Sequence, residues 1–303
     1  MEFKNLKELM TYLDDDSRCR EYYAQLRWGG NPVCPHCNAT RPYLIQNGKL
    51  YRCSSKTCKK NFSVVKGTIF EKSKVSLSTW MGAMYLISAH KKGISSLQLS
   101  RDLGVTQKTA WFILHRIRHI MTDGDPEPLN NYVEIDETYV GGTFANMNRA
   151  RRKKWQEKNM DNKTAIMGLL ERDGKARLTV IGGNGFKDVV RSNVNSNAVL
   201  ITDTHLSYQG LAFEYADHLT VNHSQMEFKN GIASTNSVEG FFANLKRSIF
   251  GIYHQVSPKH LQRYCEETAY RYNSRKISDK DRFIATMQAA EGQRLTYKKL
   301  IQK

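Results

Sequence analysis

The chain has 303 residues, long enough for two or three domains with their own cores, and carries 46 Lys and Arg against 29 Asp and Glu, a net charge of +17. A chain that basic calls for a polyanionic partner: DNA, RNA or an anionic membrane surface. No stretch approaches the roughly 20 apolar residues of a spanning helix, and "MEFKNLKELMTYLDDDSRC" is charged and amphipathic without a signal-peptide core, so a soluble, intracellular protein with no membrane-bound part is expected.

In chain order, a helical N-terminal segment (1–30) precedes a cysteine-rich region (31–70). "CPHC" supplies Cys34 and Cys37, "CSSKTC" supplies Cys53 and Cys58, and fifteen residues separate the pairs. Zinc takes four thiolates in a tetrahedron, and two tight pairs brought together by a hairpin provide them; the alternative is four unrelated buried thiols. Asn47-Gly48 suits a type I′ turn for that hairpin, with Tyr43, Ile45, Leu50 and Arg52 on its strands. Protein fills every position, so the Zn2+ is expected to be structural. Cys19 and Cys265 stand alone, a usage that fits a reducing compartment. His36 reads as a solvated or supporting residue. Arg41, Arg52, Lys56, Lys59 and Lys60 form a basic flank, either solvated or in contact with nucleic acid.

Residues 71–122 read as three helices. Trp80, Met84 and Ile87 give the first an apolar face, and the next two meet at Gly104, with Thr106 as N-cap. That is a helix-turn-helix whose second helix carries Gln107, Lys108 and Thr109 near its start, where a recognition helix reads bases. Trp111, Ile113, Leu114 and Ile117 read as core. "TDGDPEPLNN" is linker by composition, and the linker is placed at 123–132.

Beyond it, "VEIDETYVGG" (133–142) reads as a buried strand, yet Glu134, Asp136 and Glu137 fall within four positions. Alternation sends Val133, Ile135 and Glu137 to one face and Glu134, Asp136 and Thr138 to the other. "KTAIMGLLER" and "KARLTVIGG" add two strands around an Asp173-Gly174 turn, completing an antiparallel meander. A fourth strand, Val199 to Thr202, ends on Asp203 just before a helix. In "STNSVEGFFANLKRSIFG", Val238, Phe242, Leu245 and Ile249 form a helical stripe, and Asn236, Glu239, Ala243 and Lys246 share a neighbouring face.

Taken singly, these acids have plain readings: Asp203 as an N-cap, Asp136 and Glu134 as salt-bridged strand residues, Glu239 as a solvated helix position. Taken together, two carboxylates at strand ends and a third on a helix are what a pair of divalent ions needs for in-line attack on a phosphodiester. Metals and DNA phosphates would then compensate the acidic face within a basic chain. Glu134, on the same strand face as Asp136, and Asn236, one turn before Glu239, stand as alternative ligands. His205 and His223 flank the proposed site. The loop 146–163, with Arg151, Arg152, Lys153 and Lys154, either grips DNA or forms a solvated hairpin tip.

Asp136, Asp203 and Glu239, with thirty-five residues between the last two and Lys246 seven beyond the glutamate, resemble the DDE triad of bacterial insertion-sequence transposases. "EIDETYVGG", "ITDTHLSY", "VNHS" and the stretch from Thr235 to Arg275 resemble the ISXO-two-like group of that family. The resemblance implies an α/β, RNase H-like catalytic domain with a mixed sheet (133–275) behind a zinc ribbon and helix-turn-helix segment, and leaves 276–303 as a tail. It further implies two Mg2+ or Mn2+ ions on Asp136, Asp203 and Glu239, with water and then a DNA 3′-hydroxyl as nucleophiles. The expected partner is double-stranded DNA, both terminal inverted repeats and target, bound by a homodimer or higher assembly in the bacterial cytoplasm at the nucleoid. A transposase-derived DNA-binding regulator and an RNase H-like nuclease that cuts without joining are the other function classes considered.

Overall fold

The computed structural model describes residues 3, 5–122, 126–142, 148–150, 152–153, 163–182, 185–204, 208–222 and 229–302. The chain divides into two compact units, one of residues 1–122 and 274–303, the other of residues 123–273.

In the first unit, α1 (Leu6–Tyr12) and α2 (Asp16–Trp28) lead into a three-stranded antiparallel sheet of β1 (Tyr43–Ile45), β2 (Leu50–Arg52) and β3 (Asn61–Phe62). Asn47 and Gly48 both have positive φ, and the Lys49 N–H donates to Gln46 O at 3.2 Å, so the expected type I′ turn closes the β1–β2 hairpin. The sheet buries little beyond Cys34, Cys53 and Phe62. Helices α3 (Leu77–Ala89), α4 (Ser96–Leu103) and α5 (Gln107–Ile120) follow as the sequence predicts. Gly104 ends α4 at φ +64°, a backbone conformation that suits glycine, and Thr106 caps α5 by accepting from the Thr109 N–H.

Residues 276–303, read from sequence as a tail, contribute α9 (Asp279–Gln288) and α10 (Tyr297–Ile301) to this same unit. Phe283 packs edge-on against Phe3 and Tyr85, and Arg282 donates to the Ser88 carbonyl at 3.1 Å. Arg27 reaches Glu291 at 2.8 Å, while backbone hydrogen bonds join Ile69 to Ala290 and Gly292 to Gly67.

The second unit is built on a five-stranded mixed sheet in the order β6-β5-β4-β7-β8: β4 (Tyr132–Gly141), β5 (Lys163–Glu171), β6 (Ala176–Val180), β7 (Val199–Asp203) and β8 (Asp217–Val221). The meander β4-β5-β6 is antiparallel, and β7 and β8 add in parallel beside β4. This mixed order is consistent with the RNase H-like arrangement. Because side chains alternate, Val133, Ile135, Met167, Leu169 and Leu200 pack on one face with Val189 and Val190 of α6 (Phe186–Asn193). Val140, Ile166, Leu170 and Leu178 pack on the other with α7 (Asn236–Ser248) and α8 (Pro258–Asn273). The stripe of Val238, Phe242, Leu245 and Ile249 is buried as its spacing predicts. Of the segment after Asp203, residues 205–207 lie outside the described residues, and the next described feature is a 3-10 turn at Leu211–Phe213.

Candidate active site

Strand β4 places Glu134, Asp136 and Thr138 on the face that α7 covers. Its parallel register with β7 pairs Glu134 with Ile201, where the ladder ends; alternation turns Asp136 and Asp203, each two residues further along, to the same face. Glu239 sits in the first turn of α7 and Lys246 in its last, both exposed. Burial pushes the Asp136 carboxyl up to about 6, and the charges of Glu137, Asp203 and Glu239 push the same way, against the Glu137 N–H that donates to it at 2.8 Å. Asp136 therefore feels the charge of both other predicted acids. Surplus negative charge on hard oxygen donors is a fit for Mg2+ or Mn2+, with coordination left for water and substrate.

Directly across from Asp136 in the β4–β5 ladder is Gly168. A Cβ there would lie 2.6 Å from the Phe242 ring and 2.8 Å from Val238, so the glycine is what lets α7 lie this close to the strand that carries Asp136.

Glu134 and Glu137 each have hydrogen-bond partners of their own. Both Glu134 oxygens are engaged: Arg172 Nε and Ser237 Oγ donate to Oε1 at 2.8 and 3.1 Å, and the N–H groups of Ser237 and Val238 to Oε2 at 2.9 and 3.1 Å. Glu137, on the opposite sheet face, accepts from the buried Tyr208 hydroxyl; burial and then the Glu137 charge raise the phenol far above its ordinary value. Asn236 is exposed at the first position of α7. Sequence reasoning did not single out Gly168, Arg172 or Ser237, nor Thr235, whose hydroxyl donates to Glu239 Oε1 at 3.1 Å. A glycine inside a strand and an arginine beside the Asp173-Gly174 turn were the available signals.

The four Sγ atoms of Cys34, Cys37, Cys53 and Cys58 lie within 4.8 Å of one another. Cys34 and Cys58 are 4.0 Å apart, and Cys37 and Cys53 are 3.4 Å apart. A tetrahedron with Zn–S near 2.3 Å requires about 3.8 Å between sulfurs, so the set fits zinc. Asn38 and Lys59, the residues just after each pair, both turn through positive φ. Among the described residues the cysteines are the only such close group.

The predicted reading residues of α5 all have partners within the first unit. Gln107 Nε2 donates to Ser96 Oγ at 2.8 Å, Lys108 Nζ lies 5.3 Å from the Tyr297 ring centre, and the Thr109 and Thr106 hydroxyls are 2.9 Å apart. In the basic loop, Arg152 and Lys153 are described; Arg151, Lys154, His205 and His223 lie outside the described residues. No described helix is long and apolar enough to cross a membrane.

Residues 128–273 match the ISXO2-like transposase domain, and residues 14–61 match the transposase zinc-ribbon domain. Over 126 residues the chain is 31% identical to an uncharacterized protein in transposable element ISH50 of Halobacterium salinarum, a match that covers 41% of this chain and 42% of that relative. Across these two segments the chain carries a transposase zinc-ribbon domain followed by an ISXO2-like transposase domain.

Proposed function

We propose that this chain is an active transposase, cutting DNA strands at the ends of a mobile element and joining them to a target with two divalent ions. What supports the reading is that β4 pairs with β7 up to Glu134 and Ile201, two residues short of Asp136 and Asp203 on the same face, and that the charges of Asp203 and Glu239 act on the Asp136 carboxyl. Asp136, Asp203 and Glu239 would hold Mg2+ or Mn2+. Bound there, such ions would supply the Lewis acidity that activates an attacking hydroxyl and offsets phosphate charge. Lys246, two helical turns past Glu239 on an exposed face, holds the DNA backbone beside the acids. The cysteine set holds one structural zinc.

The ribbon and the α4–α5 pair bind double-stranded DNA, at terminal inverted repeats and at the target, in the cytoplasm at the nucleoid. Two ends must be joined, so the working form is a homodimer or larger on DNA.

The test is nicking and joining of a supercoiled plasmid that carries the sequences flanking this gene, in Mg2+ or Mn2+. Asp203→Asn and Glu239→Gln are each expected to lower cleavage by at least about a hundredfold while DNA binding persists. A Glu239→Gln variant that still cuts would move the third ligand to Asn236. A wild type that cuts without joining would make the chain a nuclease.

A further inference from the structure

Helix α7 carries Glu239, and its start is built in an unusual way. The first turn of any helix has orphan N–H groups, ordinarily met by the side chain of the N-cap residue. Here the N-cap is Thr235, and it makes no side-chain cap. The N–H groups of Ser237 and Val238 go instead to the carboxylate of Glu134, a residue on β4 more than a hundred positions earlier. Glu134 is 1% exposed, and an ionised carboxylate that deep is tolerable only when fully partnered. Its partners are these two amides, the Ser237 hydroxyl and the Arg172 guanidinium. A negative group at a helix N-terminus is also favoured by the helix dipole.

Two consequences follow. Relieved of capping, the Thr235 hydroxyl donates to Glu239 Oε1 at 3.1 Å, and Thr235 itself is fully buried. Arg172 meanwhile donates to the carbonyls of Ile232 and Ser234 at 2.7 and 3.2 Å, so the segment entering α7 is fixed by the same ion pair. Glu134 is two residues from Asp136 on the same strand face. The helix is therefore tied to β4 at Glu134 and rests on β5 at Gly168, the position across from Asp136.

We propose that Glu134, Arg172 and Thr235 are positioning residues that set the Glu239 carboxylate against Asp136: Glu134 caps α7 from the neighbouring strand and so frees Thr235 to orient Glu239. Glu134 is thus a support of the metal site and not a ligand in it. This inference rests on the assignment of Asp136, Asp203 and Glu239 as ion ligands. Groups that orient metal ligands commonly alter metal affinity or activity by roughly 10–100-fold when changed.

The experiment uses the full chain and two readouts: Mn2+ binding followed by electron paramagnetic resonance, and the Mg2+ concentration that gives half-maximal plasmid nicking. Thr235→Val, which keeps the shape and removes the hydroxyl, is expected to raise both concentrations about tenfold with the plateau rate largely kept. Thr235→Ser is expected to restore them. Glu134→Gln and Arg172→Lys are expected to shift the half-point in the same direction. Should Glu134→Gln fail to fold, the Thr235 pair still decides. Unchanged half-points in folded Thr235→Val and Glu134→Gln would overturn the proposal. So would a Glu134→Gln protein that melts like wild type but stays inactive at every ion concentration, since Glu134 would then be a ligand. Asp203→Asn and Glu239→Gln run alongside: if both keep Mn2+ binding and nicking, the ligand assignment has failed and takes this inference with it, whereas their inactivity leaves any failure to the positioning residues alone.

Discussion

Asp136 bears the electrostatic strain of the candidate site. Its carboxyl stands at about 6 instead of its ordinary 3.8, because it is buried and three other carboxylates act on it. Folding of the metal-free chain therefore takes up a proton at Asp136 between those values. The metal-free fold loses stability as the pH rises through that window and bears the whole penalty above it. Asp136→Asn removes the charge at nearly constant shape, so metal-free Asp136→Asn is expected to be more stable than wild type at pH 7.5, by up to about 3 kcal/mol. The difference should close towards pH 4, and Mg2+ should stabilise wild type but not the variant. Thermal melts at the two pH values check this, and equal melting at pH 7.5 would sink it. The acidic face itself was legible in the sequence, because strand alternation is local and Glu134, Asp136 and Asp203 follow it. The division of labour was not: Glu134 meets Arg172 38 residues away and Ser237 103 residues away, and no local pattern distinguishes a ligand from a helix cap supplied by another strand.

Among the elements, the ribbon shows what local reading can and cannot reach. Its turn at Asn47-Gly48 and the Thr106 cap of α5 are written in neighbouring residues, and both form as expected. Its stability is another matter. Strands of two or three residues, with a core of Cys34, Cys53 and Phe62 and an aromatic group of Trp28, Tyr51 and Phe62, bury too little to hold the sheet unaided. Structural zinc supplies roughly 10–16 kcal/mol to small domains of this kind. One zinc per chain is therefore expected on colorimetric release, and none bound tightly in Cys53→Ser. Chelation should change Trp28 fluorescence as the edge-on packing on Tyr51 is lost. A ribbon whose Trp28 signal is unmoved by complete zinc removal would contradict this account. In α5 the reading from position alone was incomplete, since the fold engages Gln107 with Ser96 and Lys108 with the Tyr297 ring. Those partners come from another helix and from the far end of the chain.

At the scale of the molecule, the chain leaves the first unit at residue 122, builds the whole sheet domain, and returns at residue 274. The return was hidden in sequence because α9 and α10 are short and polar, with buried positions whose partners lie far back, as Thr286 beside Ser88 across 198 residues illustrates. Phe283, Met287, Leu295 and Leu300 are nevertheless almost wholly buried. At about 1.5–3 kcal/mol for each fully buried apolar side chain, losing the four removes an amount comparable with the entire stability of an ordinary domain, roughly 5–15 kcal/mol. Arg282 and Glu291 take with them the ties to Ser88 and Arg27. A chain ending at Asn273 is thus expected to lose the folded first unit while the unit of residues 123–273, whose sheet and both covering helical layers lie within its own span, remains protected. Limited proteolysis with mass spectrometry reads this directly: cuts should spread through residues 1–122 and spare the sheet. Protection of α3–α5 in the shortened chain would show instead that the first unit folds without its C-terminal helices.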